Sequence, residues 1–253
     1  MRTDSKSNRV ALAPISPLFG IRITTSRLVL RVPTDEDLVD LLRLARAGVH
    51  PAGESPFIND WASLPSPTFE RRFLQYFWAL RGEWSIHRWR LPFGAFTHAG
   101  EPIGVQQIQA TNFLALRTLR SGTWVGLARQ RSGFGTEMRE AVLELCFRTL
   151  GAQFADAGTN ETNAGARGML ERLGYRWNGE GMTANGATSM PTPIVNYRLD
   201  AATWLTTPRA HIAIHGIDRA LGLFGIAGES EASRPSSQSS SDGRAVDRVS
   251  AMA

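Results

Sequence analysis

One stretch near the middle of the chain constrains its fold more than any other. The short apolar segment Gly122 to Leu127 leads into a turn with Gly133 and Gly135, and apolar residues then recur at helical spacing up to Leu150. This order predicts a strand, a tight loop and the start of a helix. The first N–H groups of a helix have no intrahelical partner and lie at the positive end of its dipole, so the loop suits a phosphate or diphosphate.

The composition of this loop supports an anion site. Gly133 and Gly135 would let the backbone approach an anion without a Cβ in the way, and Arg129 and Arg131 add positive charge. The glycine spacing fits neither the phosphate loop of nucleoside triphosphatases nor the dinucleotide-binding fingerprint. We therefore expect an anion-binding loop of another type.

The loop resembles the acyl-CoA pyrophosphate loop of the GCN5-related N-acetyltransferase (GNAT) family. The matching pattern is Gln130-x-x-Gly133-x-Gly135 followed by Thr136-Glu137. Further segments that match the family in order are Ile23 to Arg31, Pro33 to Asp37, Pro102 to Gln106, and Asn163 to Tyr175, which ends in Leu170-Glu171-Arg172-Leu173-Gly174-Tyr175. The resemblance covers residues 21–204 and is closest to the branch with ribosomal-protein N-terminal acetyltransferases and mycobacterial-type protein succinyltransferases.

The resemblance implies an α/β (α+β) fold. Its core would be a mixed, mostly antiparallel sheet of about seven strands, flanked by about four helices, with a V-shaped splay between the fourth and fifth strands. We expect a flexible lead-in over residues 1–20, an acyltransferase domain with a C-terminal strand extension over residues 21–225, and a disordered Ser-rich tail over residues 226–253.

Several local patterns refine this expectation. Arg22 to Arg31 is predicted as one strand, Glu36 to Ala47 and Thr68 to Gly82 as helices, and Gly179 to Pro193 as a flexible flap. The long connection Gly48 to Pro67 contains Phe57 and Trp61, which either form one wall of an acceptor site or cover the edge of the core.

The resemblance also implies how coenzyme A binds. The pantetheine arm would lie between the strands Gly122 to Leu127 and Gln153 to Gly158 and bond the backbone around Trp124, Val125 and Leu127. The N–H of Val125 would polarise the thioester carbonyl. The diphosphate would be held by Gln130, Arg131, Ser132, Gly133, Phe134, Gly135 and Thr136. Asn163 matches a family asparagine that contacts the cofactor arm; its alternative role is a helix cap. The donor is acetyl-CoA or another acyl-CoA, succinyl-CoA included, and no metal is expected.

The usual acid of the family is missing from this sequence. Leu170 stands where many members have a tyrosine that protonates the departing thiolate, and Ala166 stands where the N-terminal acetyltransferase branch has a serine. The candidate acids are Thr159, Thr162, Tyr175 and an ordered water, and the candidate bases for the amine are Glu54, His50 and His98.

The expected acceptor is a primary amine: a protein N-terminus, a lysine or a small molecule. A non-catalytic acyl-CoA-binding module is the alternative, because both usual acids are absent. The charge balance, 28 − 23 = +5, and the pI of 10.3 raise nucleic-acid binding as a third hypothesis. The basic residues, however, are arginines apart from Lys6 and are spread along the chain, so we expect no nucleic-acid partner.

The remaining features concern compartment and assembly. Cys146 is the only cysteine and lies at helical spacing among apolar residues, so it is predicted to be a core residue. No apolar run is long enough for a membrane span and the N-terminus lacks a signal peptide, so a cytoplasmic protein without a membrane partner is expected. His211 to Ile217 could pair with an edge strand of its own sheet or of a partner, which leaves homodimerisation open.

Overall fold

The computed structural model describes residues 12–51, 57, 61–184 and 191–226. The strands are β1 Arg22–Thr24, β2 Leu28–Arg31, β3 Arg88–Thr97, β4 Pro102–Thr111, β5 Thr118–Val125, β6 Phe154–Asn160, β7 Arg176–Ala184, β8 Pro191–Asp200 and β9 Ala213–His215. The helices are α1 Asp35–Arg46, α2 Thr68–Gly82, α3 Phe113–Leu116, α4 Phe134–Glu144, α5 Ala164–Arg172 and α6 Ala201–Leu205, and α4 continues as a π-helical turn, Leu145–Thr149. Short 3₁₀ turns lie at Pro17–Gly20, Trp61–Ser63, Leu127–Arg129 and Asp218–Phe224.

All of these strands belong to one mixed sheet between two helical layers. Its order is β7-β8-β6-β5-β4-β3-β2-β1-β9, and every pair is antiparallel except β5 with β6. Helices α1 and α2 pack on one face, where Leu41 and Phe73 meet Phe96. Helices α4 and α5 pack on the other face, where Met138 and Leu170 join the main apolar core. The predicted α/β fold with a mostly antiparallel sheet is confirmed.

The helices begin where their sequences predict. Thr34 caps α1 by accepting a hydrogen bond from the N–H of Asp37, and the Asp37 carboxylate accepts one from the N–H of Thr34, which completes a capping box. The aromatic stripe on α2 is buried, as its spacing of four and three residues indicates. The predicted bounds of α2 are confirmed.

The sheet has more strands than expected because one predicted strand is a hairpin. Arg22 to Arg31 was expected to be continuous, but the chain reverses at Thr25, whose Oγ1 accepts from the N–H of Leu28 at 3.0 Å. The C-terminal segment adds β9, which pairs with β1 of the same chain. Within the described residues this gives nine strands instead of about seven. Homodimerisation stays a prediction.

The predicted flap is largely a β-hairpin. Residues 179–184 continue β7, and β8 already begins at Pro191, so the expectation of a flexible segment from Gly179 to Pro193 is wrong for these parts. Cross-strand pairing outweighs the turn-forming residues, since β7 pairs with β8 from Glu180 to Ala184. Residues 185–190 lie outside the described residues, as does nearly all of the predicted Ser-rich tail.

The one parallel pair in the sheet opens into a gap. Strands β5 and β6 pair only through Thr118 to Arg120 and Phe154 to Asp156. Beyond this point β5 stays with β4 and β6 stays with β8, so Ser121–Val125 and Ala157–Asn160 face each other without pairing. The predicted splay is therefore present. We call its closed end, next to Arg120, the apex.

Among the described helices, none is both long enough and apolar enough to cross a lipid bilayer.

Candidate functional site

The β5 side of the gap offers backbone groups that no neighbouring strand uses. The N–H of Gly126 donates to the carbonyl of Ile103 at 3.0 Å, and antiparallel pairing alternates from there. Trp124 and Gly122 therefore direct their backbone groups at β4, whereas Val125 and Thr123 direct theirs into the gap. This corrects the expectation that the backbone of Trp124 would bond a ligand arm, and it adds Thr123.

A loop with unpaired amides stands at the open end of β5. Gly133 precedes α4 with φ +80°, and the first intrahelical bond runs from the N–H of Glu137 to its carbonyl. No side chain caps this end in the described structure, so the N–H groups of Phe134, Gly135 and Thr136 lack partners inside the helix. A Cβ on Gly135 would lie 3.6 Å from Val125 Cγ2, so the loop adjoins the end of the gap. The predicted strand, glycine turn and helix start are confirmed.

Arg27 supports this loop from the turn between β1 and β2. Its Nη1 donates to the carbonyl of Ser132 at 2.9 Å, and its guanidinium lies 4.5 Å from the centre of the Phe134 ring. Its Nε donates to Glu137 at 2.6 Å, and Thr25 donates to the same carboxylate. The sequence had placed Arg27 only in a segment of family resemblance. No local pattern predicts that it reaches a loop more than a hundred residues away.

Three residues assigned to ligand binding have other partners. The Gln130 amide donates to the carbonyls of Val49 and Val125 at 2.7 and 2.9 Å, so it fixes the loop from inside. Arg129 forms an ion pair with Glu101 at 2.9 Å, so the carboxylate partly neutralises its positive charge beside the loop. The N–H of Leu127 donates to the carbonyl of Gly48 at 2.9 Å, so it is not available to a pantetheine amide.

Arg131 is the predicted cation that the structure leaves at the loop. It is exposed and has φ +60°, a left-handed conformation unusual for an arginine. Ser132 beside it is also exposed, and its hydroxyl donates only to the carbonyl of Gln130, at 3.3 Å. The loop thus combines free amides at a helix N-terminus with an exposed guanidinium, the arrangement that binds phosphate groups.

A buried polar cluster lies at the apex, on the face covered by α4. Arg139 is 4% exposed and donates to the hydroxyls of Ser121 and, at 3.0 Å, Thr123. Thr123 in turn donates to the side-chain carbonyl of Gln106, which is fully buried. Arg139 was not among the residues predicted from the sequence. The sequence signal for its burial is that the residues one helical turn further on, Val142 and Leu143, are both apolar.

Tyr175 is a candidate acid that the structure brings to this cluster. Its side chain is buried, and its oxygen lies close to Ser121 and Arg139 without completing a hydrogen bond to either. Burial raises the pKa of the Tyr175 phenol, against the opposing effects of Arg139 and Ser121. The phenol therefore keeps its proton at neutral pH and can donate it.

The other candidate catalytic groups are scattered. Thr159 is buried on β6 on the α4–α5 face, across the gap from β5. His50 Nδ1 lies 2.9 Å from the carbonyl of Pro51, and His98 Nε2 lies 3.1 Å from the carbonyl of Thr25, in the turn that carries Arg27. Glu54 lies outside the described residues. Thr162 is half-way along the short β6–α5 connection.

Asn163 acts as a helix cap, which is the alternative role predicted for it. Its Oδ1 accepts a hydrogen bond from the N–H of Ala166 at 3.0 Å, at the start of α5. Leu170, at the position of the family tyrosine, is 2% exposed and belongs to the core. Cys146 is also in the core, as predicted, and burial raises the pKa of its thiol far above the neutral range.

Aromatic rings line the opposite side of the gap, on the α1–α2 face. Trp61 lies between Trp124 of β5 and Phe57, at ring-centre distances of 5.7 and 5.6 Å, and it also contacts Phe73 of α2. The rings thus connect the core to the edge of the gap. Both predicted roles of Phe57 and Trp61, core cover and site wall, are compatible with this position.

Within the described ranges, no three His, Cys, Asp or Glu side chains come close enough together to hold a metal ion.

Comparison with known proteins agrees with this architecture. The family model described as the acetyltransferase (GNAT) domain matches residues 27–176. A Vibrio cholerae protein classed as a ribosomal-protein-serine acetyltransferase has a similar structure: TM-score 0.56, 19% identity, 71% of this chain and 97% of that chain covered. RimJ of Mycobacterium smegmatis, solved with CoA-disulfide, gives TM-score 0.57 and 21% identity over 74% of this chain and 91% of its own.

A third similar structure is the spermidine/spermine N-acetyltransferase SpeG of Vibrio cholerae. Its TM-score is 0.53, with 15% identity over 72% of this chain and 98% of that chain. At these identities the structural likeness concerns the fold. The alternative of a non-catalytic acyl-CoA-binding module gains no support from the comparisons.

Proposed function

The chain belongs to the acetyltransferase (GNAT) family and is an acyl-CoA-dependent N-acyltransferase, and we propose that it acylates the N-terminal amine of a protein or peptide. The observation that carries the proposal is the glycine loop at the start of α4, which adjoins the open end of the β5–β6 gap. In this proposal the loop at the open end of the gap binds the diphosphate, and the gap itself receives the thioester. The ribosomal-protein acetyltransferase branch fits this acceptor class.

In this proposal the loop holds the diphosphate of acetyl-CoA. The N–H groups of Phe134, Gly135 and Thr136 donate to the phosphate oxygens, and Arg131 contributes its charge. Gln130 and Arg27 fix the loop in place without contacting the ligand. The pantetheine arm then extends beside β5, where the N–H of Val125 and the gap-facing backbone of Thr123 are available; the carbonyl of Val125 already accepts from Gln130.

The transfer step needs no covalent enzyme intermediate. The amine nitrogen attacks the thioester carbonyl carbon, the C–S bond breaks, the nitrogen loses a proton, and the CoA sulfur gains one. The N–H of Thr123, which faces the gap, stabilises the oxyanion, which is worth about 3 kcal/mol for a well-placed donor. Orientation of the two reactants supplies roughly 7 kcal/mol or more. With acetyl-CoA as the donor, Tyr175 is the proposed proton donor to the thiolate, since its phenol is buried near the apex and protonated; a longer acyl group would occupy this hydroxyl instead.

The acceptor approaches from the α1–α2 face in this proposal. Trp61 and Trp124 form an apolar wall there, and Gly122 leaves the adjoining surface open, since a Cβ added at this glycine would meet no atom within 4 Å. The described charges nearest the apex on this face are Arg120, which donates to Asn196 at 3.4 Å, and its register partner Asp156, which pairs with Arg198 at 2.7 Å. Two guanidinium groups and one carboxylate carry a net positive charge, which repels a polycationic acceptor and favours a peptide N-terminus over a polyamine.

The test is transfer of a labelled acetyl group from acetyl-CoA to a panel of amines: peptides with free N-termini, the same peptides with blocked N-termini and an internal lysine, and spermidine. We expect product with the free N-termini. The variant Arg131→Asn keeps a residue that tolerates the left-handed backbone while removing the charge, so it should weaken acetyl-CoA binding roughly 5-fold to 10-fold at low salt and less at high salt.

Arg43→Asn is the matched control, because Arg43 is also an exposed arginine but lies on α1 beside Asp40. It should leave acetyl-CoA binding unchanged. Acetylation of spermidine or of the internal lysine in preference to free N-termini would overturn the acceptor assignment. Equal effects of the two arginine variants would overturn the loop assignment.

A donor that carries a second carboxylate, such as succinyl-CoA, makes one more demand. It requires a cation beside the acyl group, inside the gap.

A further inference from the structure

Arg139 is a buried cation without an anionic partner in the described structure. Its side chain leaves α4 and reaches the hydroxyls of Ser121 and Thr123, and the residue is 4% exposed. None of the described carboxylates forms an ion pair with it; neighbouring Glu137 binds Arg27 and Glu144 binds Arg148. A buried charge normally has a counter-charge, because removing it from water is costly.

Two polar atoms of this cluster have unused hydrogen-bonding capacity. Among the described buried side-chain atoms, Arg139 Nε and the Tyr175 hydroxyl make no hydrogen bond. Both belong to side chains more than nine-tenths buried. A guanidinium nitrogen and a phenol are both donors, and a carboxylate accepts from donors of this kind at two oxygens. The two donors without a partner are therefore suited to bind an anion, which accepts hydrogen bonds, and not a group that donates them.

The cluster lies where an acyl chain would end. Gly135 of the loop adjoins Val125, so the arm of coenzyme A would start there and run along β5 towards the apex. From diphosphate to sulfur the arm has the length of about four extended residues, roughly 14 Å. Four residues back from Val125 is Ser121, which Arg139 contacts. The sulfur therefore lies between Thr123 and Ser121, and the acyl group extends from it into the apex end of the gap, beside Arg139.

We propose that Arg139 and Tyr175 bind the distal carboxylate of a short dicarboxylic acyl group carried on coenzyme A. This inference rests on the acyltransferase function proposed above and specifies its donor. Arg139 supplies the charge through Nε and its outer nitrogens, and Tyr175 donates a second hydrogen bond. Thr123 and Gln106 hold the guanidinium in position through the chain of hydrogen bonds beneath β4 and β5.

The test compares two donors of equal chain length. Succinyl-CoA and butyryl-CoA both carry a four-carbon acyl group, but only the former ends in a carboxylate. We expect titration calorimetry on the full chain to show at least about 10-fold tighter binding of succinyl-CoA, with free CoA as the reference ligand.

The variant Arg139→Met should abolish this preference and raise the affinity for butyryl-CoA or leave it unchanged. Methionine has a similar length, and replacing an unpaired buried cation with an apolar residue is commonly neutral or stabilising, so the variant should fold. Tyr175→Phe should reduce the preference about 3-fold while retaining part of it. Arg148→Gln is the control, because the exposed Arg148 follows on the same helical segment but pairs with the carboxylate of Glu144, away from the cluster, and glutamine can still donate to that carboxylate.

Equal binding of the two donors by the unaltered chain would overturn the proposal. So would a preference for succinyl-CoA that survives in Arg139→Met. If Arg139→Met lowers the affinity for succinyl-CoA and for butyryl-CoA equally, Arg139 acts on the thioester sulfur or on folding and not on the distal carboxylate, and the proposal is again rejected. If the chain binds free CoA but shows no preference for succinyl-CoA over butyryl-CoA, the proposed acyltransferase function is retained and only the dicarboxylic donor is rejected. If free CoA does not bind at all, both proposals are rejected.

Discussion

Glu137 and Arg27 are joined at two points: the Nε of Arg27 donates to Oε2 at 2.6 Å, and its backbone N–H donates to Oε1 at 3.0 Å. The contact ties the turn between β1 and β2 to the first turn of α4. Glu137 is also favourably placed for the helix dipole. Because Arg27 in turn holds the carbonyl of Ser132, the position of the anion loop depends on this pair.

The variant Glu137→Ala should therefore lower both the free energy of unfolding and the affinity for acetyl-CoA. It leaves the buried Thr25 hydroxyl and the half-exposed Arg27 guanidinium without their acceptor, so we expect the free energy of unfolding in urea to fall by about 2 kcal/mol. Glu101→Ala removes an exposed ion pair with Arg129 on the other side of the loop and should cost less than about 1 kcal/mol. Similar losses for the two variants would contradict this account.

Gly133 should be required for its backbone conformation and for the approach of the ligand. Its φ of +80° makes Gly133→Ala strained by about 1 kcal/mol, and the added Cβ would lie 3.4 Å from Nη2 of Arg27, the side chain that fixes the loop, so the loop must shift. We expect a loss of acetyl-CoA affinity of about 10-fold or more by calorimetry.

Gly179→Ala is the matched control for backbone strain. Gly179 has φ +92° and open space around it, and it lies in β7 away from the loop. It should lose a similar amount of stability in urea and bind acetyl-CoA normally. If Gly179→Ala weakens acetyl-CoA as strongly as Gly133→Ala does, the loss reflects general destabilisation.

Gly104 and Gly122 should respond in opposite ways to the same added methyl group. A Cβ on Gly104 would lie 2.1 Å from the carbonyl oxygen of Trp124, so Gly104→Ala must push β4 away from β5 and should destabilise the chain by more than about 2 kcal/mol. A Cβ on Gly122 meets no atom within 4 Å, so Gly122→Ala should leave stability equal or higher.

The Gly122→Ala variant also tests the proposed approach of the acceptor. Its methyl group would narrow the surface beside Trp124, so KM for the peptide amine should rise while acetyl-CoA affinity stays constant. An unchanged KM would place the acceptor elsewhere on the α1–α2 face.

The buried phenol of Tyr175 should make stability fall at high pH. Burial raises its pKa above the value of about 10 that holds in the unfolded chain, so the native state binds the proton more tightly. The resulting stabilisation is complete below pH 10 and is lost as the pH rises through the native pKa. Urea unfolding between pH 9 and pH 11 should show a smaller fall in Tyr175→Phe than in the unaltered chain.

Tyr76→Phe provides the comparison, because partial desolvation also raises the pKa of Tyr76, although this residue is 43% exposed, and it lies on α2 remote from Arg139. Tyr76→Phe should remove a separate part of the loss of stability at high pH, and it should leave the rate of acetyl transfer at neutral pH unchanged. Tyr175→Phe, in contrast, should slow transfer by about 10²-fold if Tyr175 protonates the thiolate. Equal transfer rates for the two variants would remove Tyr175 from the proton-transfer role.

The sequence predicts the strand, glycine loop and helix around Gly133 because local spacing and backbone preferences decide them. It also predicts α2, since Phe69, Phe73 and Phe77 recur at helical spacing and are all buried. Such features depend on neighbours in the chain, so a pattern of residues is sufficient to identify them.

What the sequence does not reveal depends on contacts between distant segments. The partners of Gln130 and Arg129 are Val49 and Glu101, and no spacing rule links residues so far apart. Glycines from Gly179 onward indicate a turn, but pairing with β8 makes that segment a strand. Arg139 escapes attention because surface arginines are common, and only burial makes this one exceptional.

The final strand and the 3₁₀ turn after it lie beyond residues 27–176, which the acetyltransferase domain matches, yet they are integral to the sheet. Phe224 is fully buried against Trp84 and Trp89, and β9 occupies the hydrogen-bonding edge of β1. Ending the chain at residue 210, after α6 and before β9, would leave the hydrogen-bonding edge of β1 unpaired and would expose the indoles of Trp84 and Trp89. The unpaired backbone N–H and C=O groups of β1 could then pair with those of another copy. We therefore expect the shortened protein to aggregate at concentrations at which the full chain remains in solution.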